Sequence, residues 1–419
     1  MVSSSGWETD EPEGPEFGGR TYRVLVVPDM TALARPDPAL GLRLPPLQVE
    51  RALLVPPTGP ERPQPCGVFD AGDAPVLLGQ CFSGAPDDPS TVFPEPRAPE
   101  EALAGTHLFG GVLPGHFGHI LCEGLSRLWA LDHCGPVDGV VFFARPFDKT
   151  RRVARGFAAL AEILGLPPVR IVTVPTRVGR LILGEQGLGA GEMMSGRPES
   201  RAYLRRRFSG VAAEGAGRRL YITRSGLAAR RGRLFDEAGL EVLFEAAGYE
   251  VVRPEERPLR DQIAMLRGAS HVVGADGTPF HLLGFSAAES CRAAVIMRRS
   301  APVYDQICHS LSVFTGQPPL MLDETRAAFS GRIRGNANTL YLEPSRRAMR
   351  TALVAAGFLP AETPDWPELD ETRRAAECAA LAREIGTAVT QVSVPERQII
   401  RTGTPEKAPD IEHEGVALC

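Results

Sequence analysis

Lysine is nearly absent from this chain, although basic residues are common. Only two of the 46 lysine and arginine residues are lysines, Lys149 and Lys407, and the rest are arginines. The 51 acidic residues outnumber them and give a formal net charge of −5 over 419 residues. A chain that is acidic overall lacks the positive field on which non-specific nucleic-acid binding depends. We therefore expect no nucleic-acid partner and attribute the arginine bias to codon usage.

Paired cysteines and long apolar segments are also missing. The eight cysteines are scattered and form no C-x-x-C pair, which indicates reduced and mostly buried thiols. No stretch reaches the roughly 18 apolar residues that a membrane-spanning helix needs. Met1–Gly19 has neither the basic nor the apolar region of a signal peptide. We predict a cytoplasmic protein, and we expect any membrane association to be peripheral.

Hydrophobic residues make up 43% of the chain and charged residues 23%, as in globular proteins, and the length predicts two folded domains. Strand and helix patterns alternate in both halves, most clearly after residue 218, which predicts an α/β fold. In the second half, four short strands separated by single helices predict a parallel, doubly wound sheet. These strands are predicted at residues 220–223, 249–252, 271–273 and 293–297.

The same patterns predict four regions of the chain. We expect a disordered acidic N-terminus at 1–20, an N-terminal α/β domain at 21–210, a second Rossmann-like domain at 211–345 and a helical tail at 346–419. Within the first domain, a strand is predicted at Tyr22–Val27 and a proline-rich, irregular region follows it. Farther along, a helix is expected around 153–164, between strands at 140–143 and 169–174.

The segment from Phe117 to His133 predicts an amphipathic helix with Leu121, Leu125, Leu128 and Trp129 on its apolar face. On the other face, His119, Glu123 and Arg127 recur at intervals of four and predict a polar stripe. A histidine one helical turn from a carboxylate can act as an oriented general base, because the carboxylate fixes the tautomer of the ring. An ordinary surface or capping cluster would show the same spacing.

His116 lies three residues before His119, so a metal site made of His116, His119 and Glu123 is an alternative. The spacing differs from the H-E-x-x-H arrangement of helical zinc sites. We therefore do not predict a metal.

A second polar segment follows the strand at 220–223. Arg224 comes directly after the strand, and Arg230, Arg231 and Arg233 follow in a loop that leads to Glu237. Ligands of doubly wound domains bind outside the carboxyl ends of the strands, and a guanidinium offers paired donors to phosphate. The segment predicts a phosphate site at Arg224, with Glu237 paired to an arginine. For Arg230 and Arg231, a solvated loop explains the sequence equally well.

A third segment runs from the strand at 271–273 through Gly274, Asp276 and Gly277 to Thr278. Thr278 is predicted to cap a helix whose first residue is Pro279. The free N–H groups and the dipole of such a helix start suit a diphosphate. His281 lies in this helix, either against a ligand or in the core.

Taken in order, these segments resemble glycosyltransferase family 61, especially its bacterial members. Three groups of residues match the family pattern between about Leu108 and Met297. They are His119 with Glu123 and Arg127-Leu128-Trp129; Tyr221-Ile-Thr-Arg224 with Arg231 and Asp236-Glu237; and Gln262-Ile263 with Gly274-Ala-Asp-Gly277.

The resemblance implies a GT-B-like protein with two Rossmann-like domains and no cofactor. It would be an inverting hexosyl- or pentosyltransferase that moves a sugar from a nucleotide-sugar donor to a glycan or lipid-linked acceptor. Polysaccharide biosynthesis at the inner face of the membrane would be its setting. His119 or Glu123 would be the base. The implied donor-binding residues are Arg224, Arg231, Glu237, Gly274, Asp276, Gly277, Thr278 and His281.

Two other functions stay open on the sequence. One is a metal-assisted hydrolase built on His116, His119 and Glu123. The other is an α/β protein that binds a nucleotide or a glycan without catalysing a reaction. Fold alone does not decide among the three, because Rossmann-like domains carry many chemistries.

Overall fold

The computed structural model describes residues 16–17, 20–21, 42, 45–59, 61–84, 89–144, 150–299, 301–332 and 338–394. The predicted strand Tyr22–Val27 and most of the predicted disordered N-terminus lie outside these residues. The chain divides into two compact units between Tyr203 and Leu204. The sequence-based boundary at 210/211 falls seven residues later and stays a prediction.

The first unit is built on a six-stranded mixed sheet with the strand order β5-β3-β10-β7-β8-β9. Strands β10, β7, β8 and β9 are parallel, whereas β3 runs antiparallel to both β10 and β5. Two pairs of two-residue strands, β1 with β2 and β4 with β6, lie outside this sheet. The elements of this half of the chain are β1 (Glu16–Phe17), β2 (Arg20–Thr21), β3 (Leu47–Val55), β4 (Gln64–Pro65), β5 (Gly67–Phe69), β6 (Thr91–Val92), β7 (Glu101–Leu113), β8 (Gly139–Ala144), α1 (Thr150–Ile163), β9 (Val169–Val172), β10 (Thr176–Leu183) and α2 (Pro198–Ser209).

The parallel part of this sheet follows the pattern seen in the sequence. Strand β8 is buried along its whole length, as expected of a central parallel strand. Helix α1 lies between β8 and β9 in the chain, and Phe157 of α1 meets Phe142 of β8 with ring centroids 5.2 Å apart. The other part of the sheet departs from a Rossmann-like domain, because β3 runs antiparallel to both of its neighbours. Strand β3 also lies in the region that was predicted to be irregular. The long strands β7 and β10 were not predicted either.

The predicted continuous helix from Phe117 to His133 is wrong. The segment is one α-turn at Phe117–His119, a π-helix at Ile120–Gly124 and a 3-10 helix at Leu128–Asp132. Every residue from 120 to 130 is buried, so the segment has no solvent-facing stripe. Glycines at 118 and 124 weaken the regular helix further, because glycine disfavours the helix interior by about 1 kcal/mol relative to alanine.

The second unit contains the predicted parallel, doubly wound sheet, with the strand order β12-β11-β13-β14-β15. In chain order this is the 2-1-3-4-5 arrangement, whose direction of winding reverses between β11 and β13. The elements are β11 (Arg218–Ile222), α3 (Glu237–Ala246), β12 (Glu250–Val252), α4 (Leu259–Gly268), β13 (Ala269–Ala275), α5 (Thr278–Ser286), β14 (Arg292–Ile296), α6 (Ala301–Thr315) and β15 (Leu320–Leu322).

The described part of the predicted helical tail at 346–419 contains two helices, and it also contributes one strand to a sheet formed with the residues before it. Strands β16 (Thr325–Arg332), β17 (Asn338–Pro344) and β18 (Val389–Val392) form an antiparallel sheet with β16 in the centre. Helix α7 (Arg346–Ala355) buries Met349 and Leu353 in the same core as Tyr221 and Phe244. Helix α8 (Glu371–Ile385) buries Leu381 beside Phe329 of β16. Apolar positions on both helices therefore tie them to the second unit.

None of the described helices is both long enough and apolar enough to span a bilayer. The seven cysteines within the described residues are free thiols, and five of them are buried, in agreement with the sequence analysis.

Candidate functional site

His119 and Glu123 form a close pair in the first unit. The Nδ1 atom of His119 lies 2.7 Å from Oε1 of Glu123. The Glu123 side chain is 9% exposed and that of His119 is 30% exposed, so the carboxylate is enclosed and the ring reaches solvent. When Nδ1 carries the proton, Nε2 is left as the acceptor of a substrate proton. This arrangement suits an oriented general base.

A hydroxyl group also contacts this pair. Ser83 Oγ donates to the same Glu123 Oε1 at 3.3 Å. The neighbouring Phe82 is held by the side-chain amide of Gln186, which accepts from Phe82 N and donates to Phe82 O, each at 3.0 Å. The loop that carries Ser83 is therefore fixed from the segment after β10.

Arg127 does not belong to a polar stripe with this pair. It is 1% exposed, and its guanidinium donates to the carbonyl oxygens of Leu78, Gln80 and Gly184 at 2.7, 2.6 and 2.5 Å. The π-helix and the turn after it carry Arg127 into the interior, so the i, i+8 spacing of a regular helix does not apply. Its role is to tie three chain segments together.

The proposed metal ligands do not converge. The rings of His116 and His119 meet edge to face, with centroids 5.8 Å apart. No group of three histidine, cysteine or acidic side chains in the described part of the chain is placed to hold a metal ion. Among the described residues, no such ligand set therefore supports the metal-assisted hydrolase.

In the second unit, charged side chains gather at the carboxyl ends of β11, β13 and β14. Arg224 follows β11, Asp276 and Gly277 follow β13, and Arg298 and Arg299 follow β14. The β11–β13 boundary is the topological switch point, where doubly wound sheets bind ligands. Burial lowers the pKa of Arg224, and the nearby Arg299 cation lowers it further. Two guanidinium groups this close to each other favour an anion as their neighbour.

Gly277 opens the first turn of α5 toward these two cations. Its φ of +155° lies in a region that residues with a side chain rarely adopt. A Cβ built on Gly277 would lie 3.3 Å from Arg224 Nη1 and 3.8 Å from Arg299 Nη2. The N-terminus of α5 and both guanidinium groups therefore border the space that glycine leaves open. This combination is typical of an anion site.

Asp276 lies next to this space and holds Arg298 and Arg299 in place. It is fully buried, and it accepts from Arg299 Nε at 2.6 Å and from the backbone N–H of Arg298 at 2.7 Å. Burial alone would raise the pKa of Asp276, but the charges of Arg298 and Arg299 outweigh it and lower the pKa. Burial also lowers the pKa of Arg298 to about 9, against the opposing charge of Asp276. Asp276 thus contacts the arginines and is closed to solvent.

Glu237 is also buried, and it holds the ends of the loop that carries the arginines. Its carboxylate accepts from the backbone N–H of Arg224 at 2.9 Å and of Leu234 at 3.1 Å. Burial raises the pKa of Glu237 to about 7, although these hydrogen bonds and the charges of Arg224 and Arg298 oppose the rise. The predicted pairing of Glu237 with an arginine side chain is replaced by these backbone contacts.

The remaining predicted site residues are placed differently. The side chain of Arg231 is exposed, and its carbonyl oxygen accepts from Arg224 Nη2 at 2.9 Å. A Cβ on Gly274 would lie 2.6 Å from the carbonyl oxygen of Ile222, so this glycine permits close strand pairing. Thr278 is the first residue of α5 and Gly277 is its cap, so the predicted Thr278 cap is wrong. Thr278 and His281 are half-buried.

Three residues at these sites were not predicted from the sequence: Arg298, Arg299 and Ser83. The two arginines carry the signal used for Arg224, since they closely follow a predicted strand. Ser83 has no such signal, because it meets Glu123 across 40 residues of chain.

Comparison with known proteins gives one family match and a similarity to a solved structure. Residues 117–294 match the model of the family described as Glycosyltransferase 61. Among solved structures, the chain is similar to the bacterial iron-containing dodecameric glycosyltransferase TibC from enterotoxigenic E. coli H10407. The identity is 10%, the TM-score is 0.25, and the match covers 61% of this chain and 74% of that one. No curated protein matches the sequence.

Proposed function

We propose a specific reaction for this chain, whose residues 117–294 place it in glycosyltransferase family 61. In this proposal, a sugar moves from a nucleotide-sugar donor to an acceptor hydroxyl with inversion at the anomeric carbon. The observation that carries the proposal is the anion site around Gly277, formed by the α5 N-terminus, Arg224 and Arg299. A diphosphate leaving group is the anion that such a site fits best.

The donor half of the reaction uses the second unit. As the bond between the anomeric carbon and the diphosphate oxygen breaks, negative charge grows on the departing phosphate. Guanidinium groups that are already oriented stabilise that charge without a further cost of reorganisation. Asp276 keeps Arg299 in place for this role, because its carboxylate accepts from Arg299 Nε.

The acceptor half of the reaction uses the first unit. The acceptor hydroxyl loses its proton as its oxygen attacks the anomeric carbon from the face opposite the diphosphate, which inverts the configuration. His119 takes the proton at Nε2, and Glu123 stabilises the resulting imidazolium through the contact at Nδ1. A fold of the GT-B type, a polysaccharide or lipid-linked acceptor and a peripheral position at the inner membrane face belong to the same proposal.

Ligand binding by purified variants tests the donor site. We would titrate wild type, Arg224→Gln, Arg299→Gln and the control Arg230→Gln with UDP, GDP, ADP, CDP and dTDP in a calorimeter. Arg230 is exposed on the same loop, so the control removes an equal charge. One diphosphate should bind wild type and the control equally, and Arg224→Gln and Arg299→Gln about 10–100-fold more weakly, because each loses a charge-assisted hydrogen bond of about 1.5–3 kcal/mol.

Two results would contradict the proposal. One is a folded wild-type protein that binds none of the five diphosphates. The other is equal weakening by all three substitutions, which would indicate general electrostatic attraction. With a substrate in hand, NMR of the first product formed would report the anomeric configuration, and retention would exclude the inverting mechanism.

A further inference from the structure

The loop that carries Arg224 is fixed by residues far along the chain. We use the name arginine loop for residues 224–234, between β11 and α3. Glu384 of α8 accepts from the backbone N–H of Ala229 at 2.5 Å through Oε1. Its other oxygen, Oε2, pairs with Arg233 Nη2 at 3.0 Å. One carboxylate therefore holds two points of the loop across about 150 residues of chain.

Apolar and hydroxyl contacts support the same loop. Tyr341 of β17 donates through its hydroxyl to the carbonyl oxygen of Ala229 at 3.3 Å. Phe235, which directly follows the loop, stacks on Phe329 of β16 with ring centroids 3.9 Å apart. Ala229, Phe235, Phe329 and Tyr341 share one buried cluster with Leu381 of α8. The antiparallel sheet and α8 thus pack against the arginine loop and support it.

The restraint reaches the Arg224 side chain through backbone oxygens. Arg224 Nε donates to Gly232 O and Nη2 donates to Arg231 O, each at 2.9 Å. Both carbonyls lie between Ala229 and Arg233, the two residues that Glu384 contacts. If that stretch shifts, the two bonds that orient the Arg224 guanidinium toward Gly277 shift with it.

We propose that Glu384 is a positioning residue for donor binding, acting through the arginine loop on Arg224. This inference rests on the proposed function for its link to the diphosphate. It assigns a role to β16, β17 and α8, all of which lie beyond the segment 117–294 that the family model matches. A role in holding the donor diphosphate differs from a purely structural role, because it predicts a selective loss of donor affinity.

A graded set of variants tests the proposal in the full chain. Glu384→Ala removes both contacts, whereas Glu384→Gln keeps an acceptor for Ala229 and loses the charge pair with Arg233. The matched control is Glu371→Ala at the other end of α8, whose side chain is 89% exposed and pairs with Arg374. Arg233→Gln breaks the same charge pair from the other side.

The rate of amide hydrogen exchange in residues 224–234 measures directly how firmly the arginine loop is held. We expect at least 10-fold faster exchange at the amide of Ala229 in Glu384→Ala, a smaller rise in Glu384→Gln and no change in Glu371→Ala. The Kd for the nucleoside diphosphate bound by wild type should rise about 5–20-fold in Glu384→Ala, because Arg224 loses its orientation rather than its charge. Combining Glu384→Gln with Arg233→Gln should add little to either alone.

Unchanged exchange in a folded Glu384→Ala variant would overturn the proposal. Faster exchange with an unchanged Kd would overturn it too, because the loop would then move without affecting Arg224. If wild type binds none of the five diphosphates, the proposed function fails, and loop exchange alone still decides whether Glu384 fixes the loop. A melting temperature equal to that of Glu371→Ala separates a local effect from general unfolding.

Discussion

The two candidate sites of this protein are built in different ways. The His119–Glu123 pair lies within one turn of one segment, and its members are four positions apart in the sequence. The anion site of the second unit combines residues that follow three parallel strands, with Arg224 and Arg299 separated by 75 positions. The first site depends on local geometry and the second on the order of strands in a sheet.

This difference determines how each site should respond to substitution. In the first unit, the histidine can be changed with little effect on the core, because its ring is partly exposed. In the second unit, Arg298 and Arg299 donate hydrogen bonds to the buried carboxylate of Asp276, so ligand binding and folding depend on the same residues. Substitutions should therefore separate chemistry from stability in the first site and couple them in the second.

Replacing His119 should have the largest effect on turnover. We expect His119→Ala to lower kcat by about 10²–10⁴-fold, because the acceptor hydroxyl loses its general base. Diphosphate affinity and melting temperature should stay close to those of wild type. Steady-state kinetics and calorimetry check both parts, with His133→Ala as the control, since His133 is exposed and lies outside the pair. Retained turnover in His119→Ala would assign the proton transfer elsewhere.

Glu123→Gln decides which member of the pair is the base. If Glu123 only orients His119, the loss in kcat should be smaller than in His119→Ala. A loss as large as that of His119→Ala would make Glu123 the base.

Asp276→Asn should test the coupling of binding and folding in the second unit. Removal of the buried charge leaves Arg298 and Arg299 without their carboxylate, and breaking such a pair costs about 3–5 kcal/mol. We expect a clear drop in the urea midpoint of the second unit together with weaker diphosphate binding. Asp261→Asn is the control, because Asp261 is exposed on α4. Weaker binding with an unchanged midpoint would contradict the coupling.

The smallest expected effect is a pH dependence of stability from Glu237. Its pKa is raised to about 7 in the folded protein, so the folded state holds this proton more tightly than the unfolded chain does. Stability from this group is complete below pH 4.5 and is lost as the pH rises toward 7. The total is up to roughly 3 kcal/mol, at 1.4 kcal/mol for each pKa unit.

Melting curves of wild type and Glu237→Gln between pH 5 and pH 8 would measure this effect. The glutamine cannot ionise, so the melting temperature of the variant relative to wild type should rise steadily over that range. Glu245→Gln is the control, since Glu245 is exposed on the same helix. A difference between Glu237→Gln and wild type that stays constant with pH would show that Glu237 does not titrate there.

The second unit was largely predictable from the sequence, and the first was not. Parallel strands such as β13 and β14 are short apolar runs between helices, so their order along the chain already suggests the doubly wound sheet. Strand β3 lies among prolines and pairs antiparallel with β10, more than 120 residues away, and no local pattern reports such a pairing. The π-helix was missed because its burial on all sides differs from the one-sided pattern of a surface helix.

The candidate sites follow the same rule. Residues four positions apart meet on a regular helix, and His119 and Glu123 also meet where the structure has a wider π-helical turn. Their spacing was therefore enough to predict the contact. Arg224 and Gly277 were found because each follows a strand and precedes a helix. Glu384 was out of reach, since nothing in the sequence of α8 indicates that it lies beside Ala229.

The burial of Arg127 has a consequence for how the first unit folds. Burying a guanidinium without hydrogen-bond partners is costly, so Arg127 should leave water only when its carbonyl partners are in place. Those partners, at Leu78, Gln80 and Gly184, lie about 50 residues before and after it in the chain. The segment that carries His119 and Glu123 should therefore dock only after β10 has joined the sheet.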